Sequence, residues 1–185
     1  MEPGSVLKPA FFERDARLVA RDLLGCRLCR PVDGTVHRWT IRETEAYTGP
    51  EDRACHAHKG RTRRTEVMFG PPGHWYVYLC YGIHWMLNVV TGPAGHPAAV
   101  LLRGAGERLG PGRLTRALGI TGDLHGALAN PGSGLWMETG FRVPEARIEQ
   151  TPRIGVDYAG PDWSQRPYRF VLKVDAGTAP GIRPT

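Results

Sequence analysis

A strand–turn–strand pattern from Cys26 to Tyr47 constrains the fold of this 185-residue chain more than any other feature. Two runs rich in strand-forming residues, Cys26–Arg30 and Val36–Tyr47, flank a short segment that contains Asp33-Gly34. An Asp-Gly pair favours the tight reversal that joins two antiparallel strands. We therefore predict a β-hairpin whose second strand reaches Tyr47.

The second strand of this hairpin carries two carboxylates and a phenol. If the strand stays regular, Glu43, Glu45 and Tyr47 share one face with Ile41, because side chains alternate along a strand. Carboxylates are costly to bury unless partners or a function compensate. Two interpretations remain open at this point: a face exposed to solvent, or a buried functional site.

A long segment without clear periodicity, from Thr48 to Gly73, follows the hairpin and is rich in Gly and Pro. It predicts a loop with one helical turn, and a loop this long in a compact domain is usually functional or disordered. Its basic residues have the charge that phosphate contacts require. A simply solvated run of charge explains them equally well. These residues are Lys59, Arg61, Arg63 and Arg64.

Two further strand-like runs, Trp75–Tyr81 and His84–Val90, predict a second hairpin with Tyr81 at or near its tip. Strand alternation places Tyr76 and Tyr78 on one face and Tyr81 on the other. The two faces therefore suggest two different roles for these tyrosines.

The rest of the chain predicts short elements within a single domain. The length suits one globular unit with a proper core, and no repeat or linker argues for a second. Apolar spacing predicts a helix from about Phe12 that ends at Gly25. Other predicted elements are a strand at Ala98–Arg103, short helices at Arg113–Gly119 and Asp123–Ala129, strands at Leu135–Glu138 and Arg169–Val174, and a loop at Arg153–Gly160. We expect residues 1–9 and 176–185 to be loose termini.

The charge balance favours a polyanionic partner. Lys and Arg number 24 against 18 Asp and Glu, which gives a net charge of +6 and a pI near 9.5. Such a balance is typical of proteins that bind nucleic acid. Only Lys8, Lys59 and Lys173 are lysines. Arginine is the better bidentate phosphate ligand, although genomic base composition also accounts for an arginine excess.

The start of the chain lacks the basic-then-apolar pattern of a secretory signal, and no apolar run is long enough to cross a bilayer. We therefore expect a protein that acts inside the cell, in the cytoplasm and associated with the nucleoid, without a membrane partner. The four cysteines are then expected to be reduced thiols.

Cys26 and Cys29, with Cys55, His56 and His58, supply enough ligand types for a zinc site. A single C-x-x-C pair is a weak signal, however, and a separation of three along a strand directs the two sulfurs to opposite faces. The histidine-x-glutamate and Pro-Cys-x-x-Cys pairing of zinc base deaminases is absent. We expect no metal, and keep a zinc-dependent hydrolase as an alternative.

Two other enzyme classes lack their sequence signatures. No Gly-x-Ser-x-Gly elbow occurs, and no serine lies near a histidine in sequence. The Gly104–Gly110 segment resembles a dinucleotide-binding loop, but its third glycine is displaced by one position. Pro111-Gly112 also interrupts any helix that would follow. The sequence therefore argues against serine hydrolases and dinucleotide-binding folds.

A carboxylate that acts on a base held by aromatic side chains fits the remaining residues. Cleavage of a sugar–purine bond requires deprotonation of a water and stabilisation of a cationic sugar, and one carboxylate can do both. Glu45 suits that role. A base outside the duplex needs stacking and hydrogen bonds to its edge, and a side chain at a hairpin tip can fill the gap it leaves. Tyr81 is the candidate for filling the gap that the base leaves in the duplex. The candidates for holding the base are Tyr47, His56, Tyr78 and Asn88.

The chain resembles the alkyladenine (3-methyladenine) DNA glycosylases, particularly their bacterial members. The resemblance covers most of the chain. Its motifs are Glu43-Thr44-Glu45-Ala46-Tyr47, Gly49-Pro50-Glu51-Asp52 with Ala54 and His56, Arg64-Thr65-Glu66-Val67-Met68-Phe69-Gly70-Pro71-Pro72-Gly73, Tyr76-Val77-Tyr78 with Tyr81-Gly82, Leu87-Asn88-Val89-Val90, and Val100-Leu101-Leu102-Arg103. Weaker matches run from Leu23-Leu24-Gly25 to Arg153-Ile154-Gly155-Val156. Gly104-Ala105-Gly106-Glu107 departs from the acidic segment that often follows this arginine in the family.

The resemblance implies an α+β fold: a single mixed domain with a curved antiparallel sheet, a projecting β-hairpin and surrounding helices, without a cofactor. It assigns roles to seven residues. Glu45 activates water, Arg103 lies near that water, Tyr47 stacks on one face of the base, His56 and Tyr78 cover the other, Asn88 checks the purine edge against guanine, and Tyr81 enters the minor groove.

Together these observations predict a DNA glycosylase that flips alkylated or deaminated purines out of double-stranded DNA and leaves an abasic site. Strand cleavage through a Schiff base needs an amine, and no lysine lies among the matched pocket residues, so we expect a monofunctional enzyme. We also expect a monomer. The alternative is a non-enzymatic module that binds damaged DNA.

Overall fold

The hairpin at Asp33-Gly34 is present and sets the architecture. Its strands are β1 (Arg27–Val32) and β2 (Thr35–Tyr47), which pair antiparallel. Asp33 and Gly34 have φ angles of 49° and 78°. Both values lie in the left-handed region that a tight two-residue reversal requires.

The structure, a computed structural model, describes residues 4–173. Within that range nine strands form an open sheet whose paired strands are antiparallel. The remaining strands are β3 (Trp75–Cys80), β4 (His84–Thr91), β5 (Ala98–Ala105), β6 (Arg108–Leu109), β7 (Trp136–Glu138), β8 (Ile148–Thr151) and β9 (Arg169–Leu172). Their main order is β3-β4-β5-β2-β1-β7, with β9 also paired to β2 and to β8. The predicted α+β class with an antiparallel sheet is confirmed.

Strand β2 is central because its two halves have different partners. The first half pairs with β1, and the second half pairs with β5 on one side and β9 on the other. Register shifts, typical of a β-bulge, occur between Ile41 and Glu43 and between Glu43 and Thr44. A bulge re-aims side chains. Ile41 therefore packs in the main core, and its predicted alignment with the face of Glu43 and Glu45 is wrong.

Four short helices accompany the sheet in the described part of the chain: α1 (Pro9–Phe12), α2 (Ala16–Asp22), α3 (Pro111–Ala117) and α4 (Pro161–Gln165). The single helix predicted from Phe12 is wrong. The chain breaks between α1 and α2, where the Asp15 side chain accepts a hydrogen bond from the Arg17 amide as an N-cap. The helix predicted from Asp123 is only a 3₁₀ turn, Gly122–Leu124.

The sheet has a different environment on each face. Alternate residues of β3 lie on opposite faces of the sheet. Trp75 and Val77 pack in the main core with α1, α2 and α3, whereas Tyr76 and Tyr78 pack in a smaller cluster on the other face. This smaller cluster contains Met68 from the long loop. The loop is therefore folded against the second face of the sheet, where it encloses a cavity.

The N-terminal segment is bound to the sheet rather than loose. Val6 forms a β-bridge with Glu138, the Leu7 amide donates to the Met137 carbonyl at 2.8 Å, and Leu7 is buried. The prediction of a loose arm is therefore wrong for residues 4–9. The predicted loose segment 176–185 lies outside the described residues. Across residues 4–173, no helix combines the length and apolar character needed to traverse a bilayer.

Candidate active site

A cavity of about 230 Å³ opens on the second face of the sheet, between the long loop, the β3–β4 hairpin and the segment 154–158. Its wall combines aromatic, apolar and polar side chains. The residues that the sequence pointed to and that line it are Tyr47, His56, Tyr78, Tyr81, Asn88 and Arg103. The structure thus gathers side chains from β2, the loop, β3, β4 and β5 into one site.

Glu45 lies directly behind the cavity wall. Its exposed fraction is 0%. One carboxylate oxygen, Oε2, accepts a hydrogen bond from the Tyr47 hydroxyl at 2.9 Å, and Oε1 accepts one from the Ile154 amide at 2.8 Å. Arg103 Nη1 lies 3.4 Å from Oε1. All three partners line the cavity, so they separate the carboxylate from the cavity.

The two carboxylates of β2 differ in their electrostatic environment. Burial raises the pKa of Glu45, and this effect outweighs the opposing influence of Arg103 and the Ile154 amide. Glu43 is also buried, but Oε1 accepts hydrogen bonds from Arg169 Nε and Arg103 Nε, each at 2.7 Å. These two arginines together outweigh burial and hold the pKa of Glu43 below its usual value. Both carboxylates are buried, so a solvated strand face is excluded.

His56 and Tyr78 form an aromatic corner of the cavity. Their ring centroids lie 4.6 Å apart with an interplanar angle of 74°. His56 Nδ1 lies 2.8 Å from the hydroxyl oxygen of Tyr76. Burial, reinforced by the charge of Arg64, lowers the pKa of His56 to about 4. The imidazole is therefore neutral near pH 7. Tyr76 was not among the predicted site residues, although its alternation with Tyr78 was the available signal.

Asn88 is buried in β4 directly opposite Tyr76. Its Nδ2 group donates to the Tyr76 carbonyl at 3.0 Å. This bond fixes the carboxamide plane at the cavity wall. Among the residues that the structure describes, none donates a hydrogen bond to the carboxamide oxygen, which leaves that oxygen as an acceptor for a ligand.

Tyr81 occupies the tip of the β3–β4 hairpin and is 92% exposed. The turn is closed by the Ile83 amide, which donates to the Cys80 carbonyl at 3.0 Å, and Tyr81 and Gly82 have φ angles of 51° and 69°. A tyrosine rarely adopts a left-handed conformation. Tyr81 lines the same cavity as Tyr76 and Tyr78, so the separation into two faces does not extend to the turn.

The basic loop is exposed but is not uniform. Arg61 donates to Glu66 at 2.6 Å and its guanidinium lies 4.5 Å from the Phe69 ring centroid. The Arg64 guanidinium lies 6.0 Å from the Tyr78 ring centroid, beside the cavity. Lys59 and Arg63 are exposed. None of these four side chains lines the cavity itself.

An ion pair that sequence reasoning missed supports the site from behind. Arg153 and Asp52 are both fully buried, and Arg153 Nη2 donates to Asp52 Oδ1 at 2.8 Å. Arg153 Nη1 also donates to the Ala46 carbonyl at 2.8 Å, and the guanidinium lies 4.8 Å from the Tyr47 ring centroid. Asp52 accepts from the Thr48 and Ala54 amides. The pair therefore connects β2, the long loop and the segment that carries Ile154.

Thiol and imidazole groups do not gather into a metal site in the described part of the chain. No group of three or more His, Cys, Asp or Glu side chains there could hold a metal ion. Cys26, Cys29 and Cys55 are buried free thiols. Burial raises the pKa of Cys55 to about 11, so this cavity thiol is protonated near pH 7.

Comparison with known proteins finds a matching family model and several similar sequences. A family model described as methylpurine-DNA glycosylase matches residues 10–109 and 107–176. A protein of Anaeromyxobacter dehalogenans strain 2CP-C, named "Putative 3-methyladenine DNA glycosylase", is 47% identical over 182 residues, which cover 92% of this chain and 84% of the relative. A protein of the same name from Myxococcus xanthus is 46% identical over 190 residues, 96% of this chain and 97% of the relative.

Proposed function

The chain belongs to the methylpurine-DNA glycosylase family and is therefore a hydrolase that acts on N-glycosyl bonds in DNA, and we propose that its substrates are alkylated or deaminated purines. The enzyme flips such a purine out of double-stranded DNA, binds it in the cavity and hydrolyses its bond to deoxyribose. The product is an abasic site. We propose that it acts as a monomer.

The observation that carries this proposal is the position of Glu45 behind the cavity wall. A general base must reach the water that it deprotonates, either directly or through a small movement from the unbound geometry. Tyr47, Arg103 and Ile154 cover the carboxylate. Entry of a nucleotide and a water between them brings the carboxylate into contact with the reaction. A raised pKa also makes Glu45 a stronger base than an exposed glutamate.

Glu45 then serves the reaction in two ways. It removes a proton from the attacking water as the water oxygen bonds to the anomeric carbon and the purine leaves. Its negative charge also stabilises the cationic character that develops on the sugar, an effect that is strong in a buried site. Arg103 orients the carboxylate through contacts to both Glu43 and Glu45.

The cavity wall supplies the contacts that a flipped base requires. Tyr47 stacks on one face of the purine, while His56 and Tyr78 cover the other. A neutral imidazole does not repel a purine that is alkylated at N3 or N7 and therefore carries a positive charge. The carboxamide of Asn88, held by Tyr76, lies against the purine edge, and the bulk of this fixed side chain disfavours the added amino group of guanine. Tyr81 enters the gap in the duplex.

The experiment that tests this proposal is incubation with duplexes that each carry one lesion, followed by hot alkali. The panel contains 3-methyladenine, 7-methylguanine, hypoxanthine and ethenoadenine, with undamaged duplex as the control. A glycosylase produces alkali-labile abasic sites at the lesion only. Binding to a damaged duplex without any alkali-labile product would instead support the non-enzymatic binding module.

A further inference from the structure

The segment 153–158 runs from the buried carboxylate to the outer edge of the cavity. At its inner end, the Ile154 amide donates to Glu45 Oε1 at 2.8 Å. At its outer end, Tyr158 lines the same cavity but is 69% exposed. The segment therefore gives a backbone contact to Glu45 and an exposed aromatic side chain to the same cavity.

Tyr158 is held in this exposed position by its hydroxyl group. The hydroxyl donates to the carbonyl of Ala54 at 2.9 Å, and Ala54 is a buried residue of the cavity wall. The hydroxyl is thus fixed to the protein while the ring stays largely in water. An aromatic side chain whose hydroxyl is hydrogen-bonded and whose ring face is exposed to solvent is suited to bind a ligand.

Tyr158 is also not an isolated surface residue. Tyr81, which is 92% exposed, lines the same cavity from the hairpin tip. Single exposed aromatic residues are common on protein surfaces, whereas several at one cavity mark a binding site. The two tyrosines belong to different segments and together border the opening.

We propose that the ring of Tyr158 packs against the deoxyribose of the flipped nucleotide. This inference rests on the proposed function. The base lies in the cavity between Tyr47 on one side and His56 and Tyr78 on the other. The anomeric carbon must then approach Glu45. The sugar therefore lies beside the segment that begins at Ile154, and its apolar carbon–hydrogen face meets the exposed ring of Tyr158 through dispersion contacts.

The test separates contact with the sugar from contact with the base. Binding is measured for two duplexes, one with hypoxanthine and one with a tetrahydrofuran abasic analogue, which retains the sugar ring but lacks a base. Tyr158→Ala is expected to weaken binding to both duplexes by a similar factor of about 10, the scale of one aromatic contact. Tyr158→Phe keeps the ring and is expected to lose less than Tyr158→Ala on both.

Phe141→Ala is the matched control, because it removes an exposed aromatic ring that does not line the cavity. Unchanged binding of Tyr158→Ala to both duplexes would overturn the contact. Weaker binding to the hypoxanthine duplex alone would assign the ring to the base instead of the sugar. Failure of the wild-type protein to produce alkali-labile sites would overturn the proposed function itself, so the two failures are distinguishable.

Discussion

The inner and outer ends of the cavity differ in how far their side chains are buried. At the inner end, Glu45 and Asn88 are buried and fixed by hydrogen bonds from or to neighbouring strands and segments. At the outer end, Tyr81 and Tyr158 are exposed, and the arginines of the basic loop are exposed as well. From this difference we expect the inner end to determine the rate of the reaction and the outer end to determine how tightly damaged DNA is held.

The largest expected effect comes from Glu45→Gln at the inner end. It removes the general base and the negative charge at the sugar, so excision should fall by about 10³-fold or more, while binding to a damaged duplex is retained. Single-turnover excision and a binding titration measure the two quantities separately. Excision at the wild-type rate would refute the role of Glu45.

Glu43→Gln is the matched control for this prediction. It leaves Arg103 and Arg169 without their shared buried carboxylate, and breaking a buried ion pair is strongly destabilising. We expect a lower melting temperature together with measurable excision below that temperature. Glu45→Gln should instead keep its melting temperature and lose excision.

The next largest expected effect is a dependence of the excision rate on pH. The proposed reaction needs the carboxylate form of Glu45, and burial raises the pKa of this group. The excision rate should therefore fall as pH is lowered through a value above that of an exposed glutamate, by about tenfold per unit below it. Excision of 7-methylguanine measures this limb without a requirement to protonate the leaving group.

His56→Gln distinguishes Glu45 from the imidazole in that profile. Burial lowers the pKa of His56 to about 4, whereas it raises the pKa of Glu45, so the imidazole titrates at a lower pH than the carboxylate. The limb should stay at the same pH in this variant even if the overall rate changes. Loss of the limb would show that His56 is the titrating group.

At the outer end, Tyr81→Ser should change affinity more than chemistry. Loss of one stacked aromatic ring costs about 1–3 kcal/mol, so binding to damaged duplex should weaken while the excision rate at saturating enzyme changes less. Tyr81 has a φ angle of 51°, which is unfavourable for serine as it is for tyrosine. Tyr81→Phe, which retains the ring, is the control. Equal binding by the serine variant and the wild type would remove the proposed role in the minor groove.

A smaller effect is expected from the basic loop. Arg63→Ala should reduce the slope of log affinity against log salt by about 1, as for one lost phosphate contact. Arg61→Ala should change it less, because Arg61 is already paired with Glu66. A larger change for Arg61 than for Arg63 would contradict this order.

No effect at all is expected from borohydride. The three lysines, Lys8, Lys59 and Lys173, do not line the cavity, so none is placed to form a Schiff base with the sugar. Incubation with damaged DNA and borohydride should give no covalent complex on a denaturing gel. A trapped band would show that the enzyme is not monofunctional.

The sequence predicted the elements whose signals are local. The Asp33-Gly34 pair identified the first hairpin, and alternation in β3 correctly placed Tyr76 and Tyr78 on one face, because both depend only on neighbouring residues. The resemblance then pointed to six side chains that line one cavity. Their individual roles stay predictions.

The remainder depends on contacts between distant residues. The bulge in β2 lies where the strand begins to pair with β9 as well as β5, and strand periodicity alone could not show that Ile41 leaves the face of Glu43. The pair of Asp52 with Arg153 joins residues 101 positions apart. No local pattern indicates such a partner, and the same holds for the binding of Val6 and Leu7 beside β7.

The hydrogen bond from the Ile154 amide to Glu45 also bears on how the protein is made. It spans 109 positions, and a ribosome releases the N-terminal part of a domain first. Glu45 is therefore synthesised long before the segment that covers it, and its charge stays solvated on the nascent chain. Burial raises the pKa of this carboxylate, and the complete burial seen in the fold requires a segment that is synthesised 109 residues later.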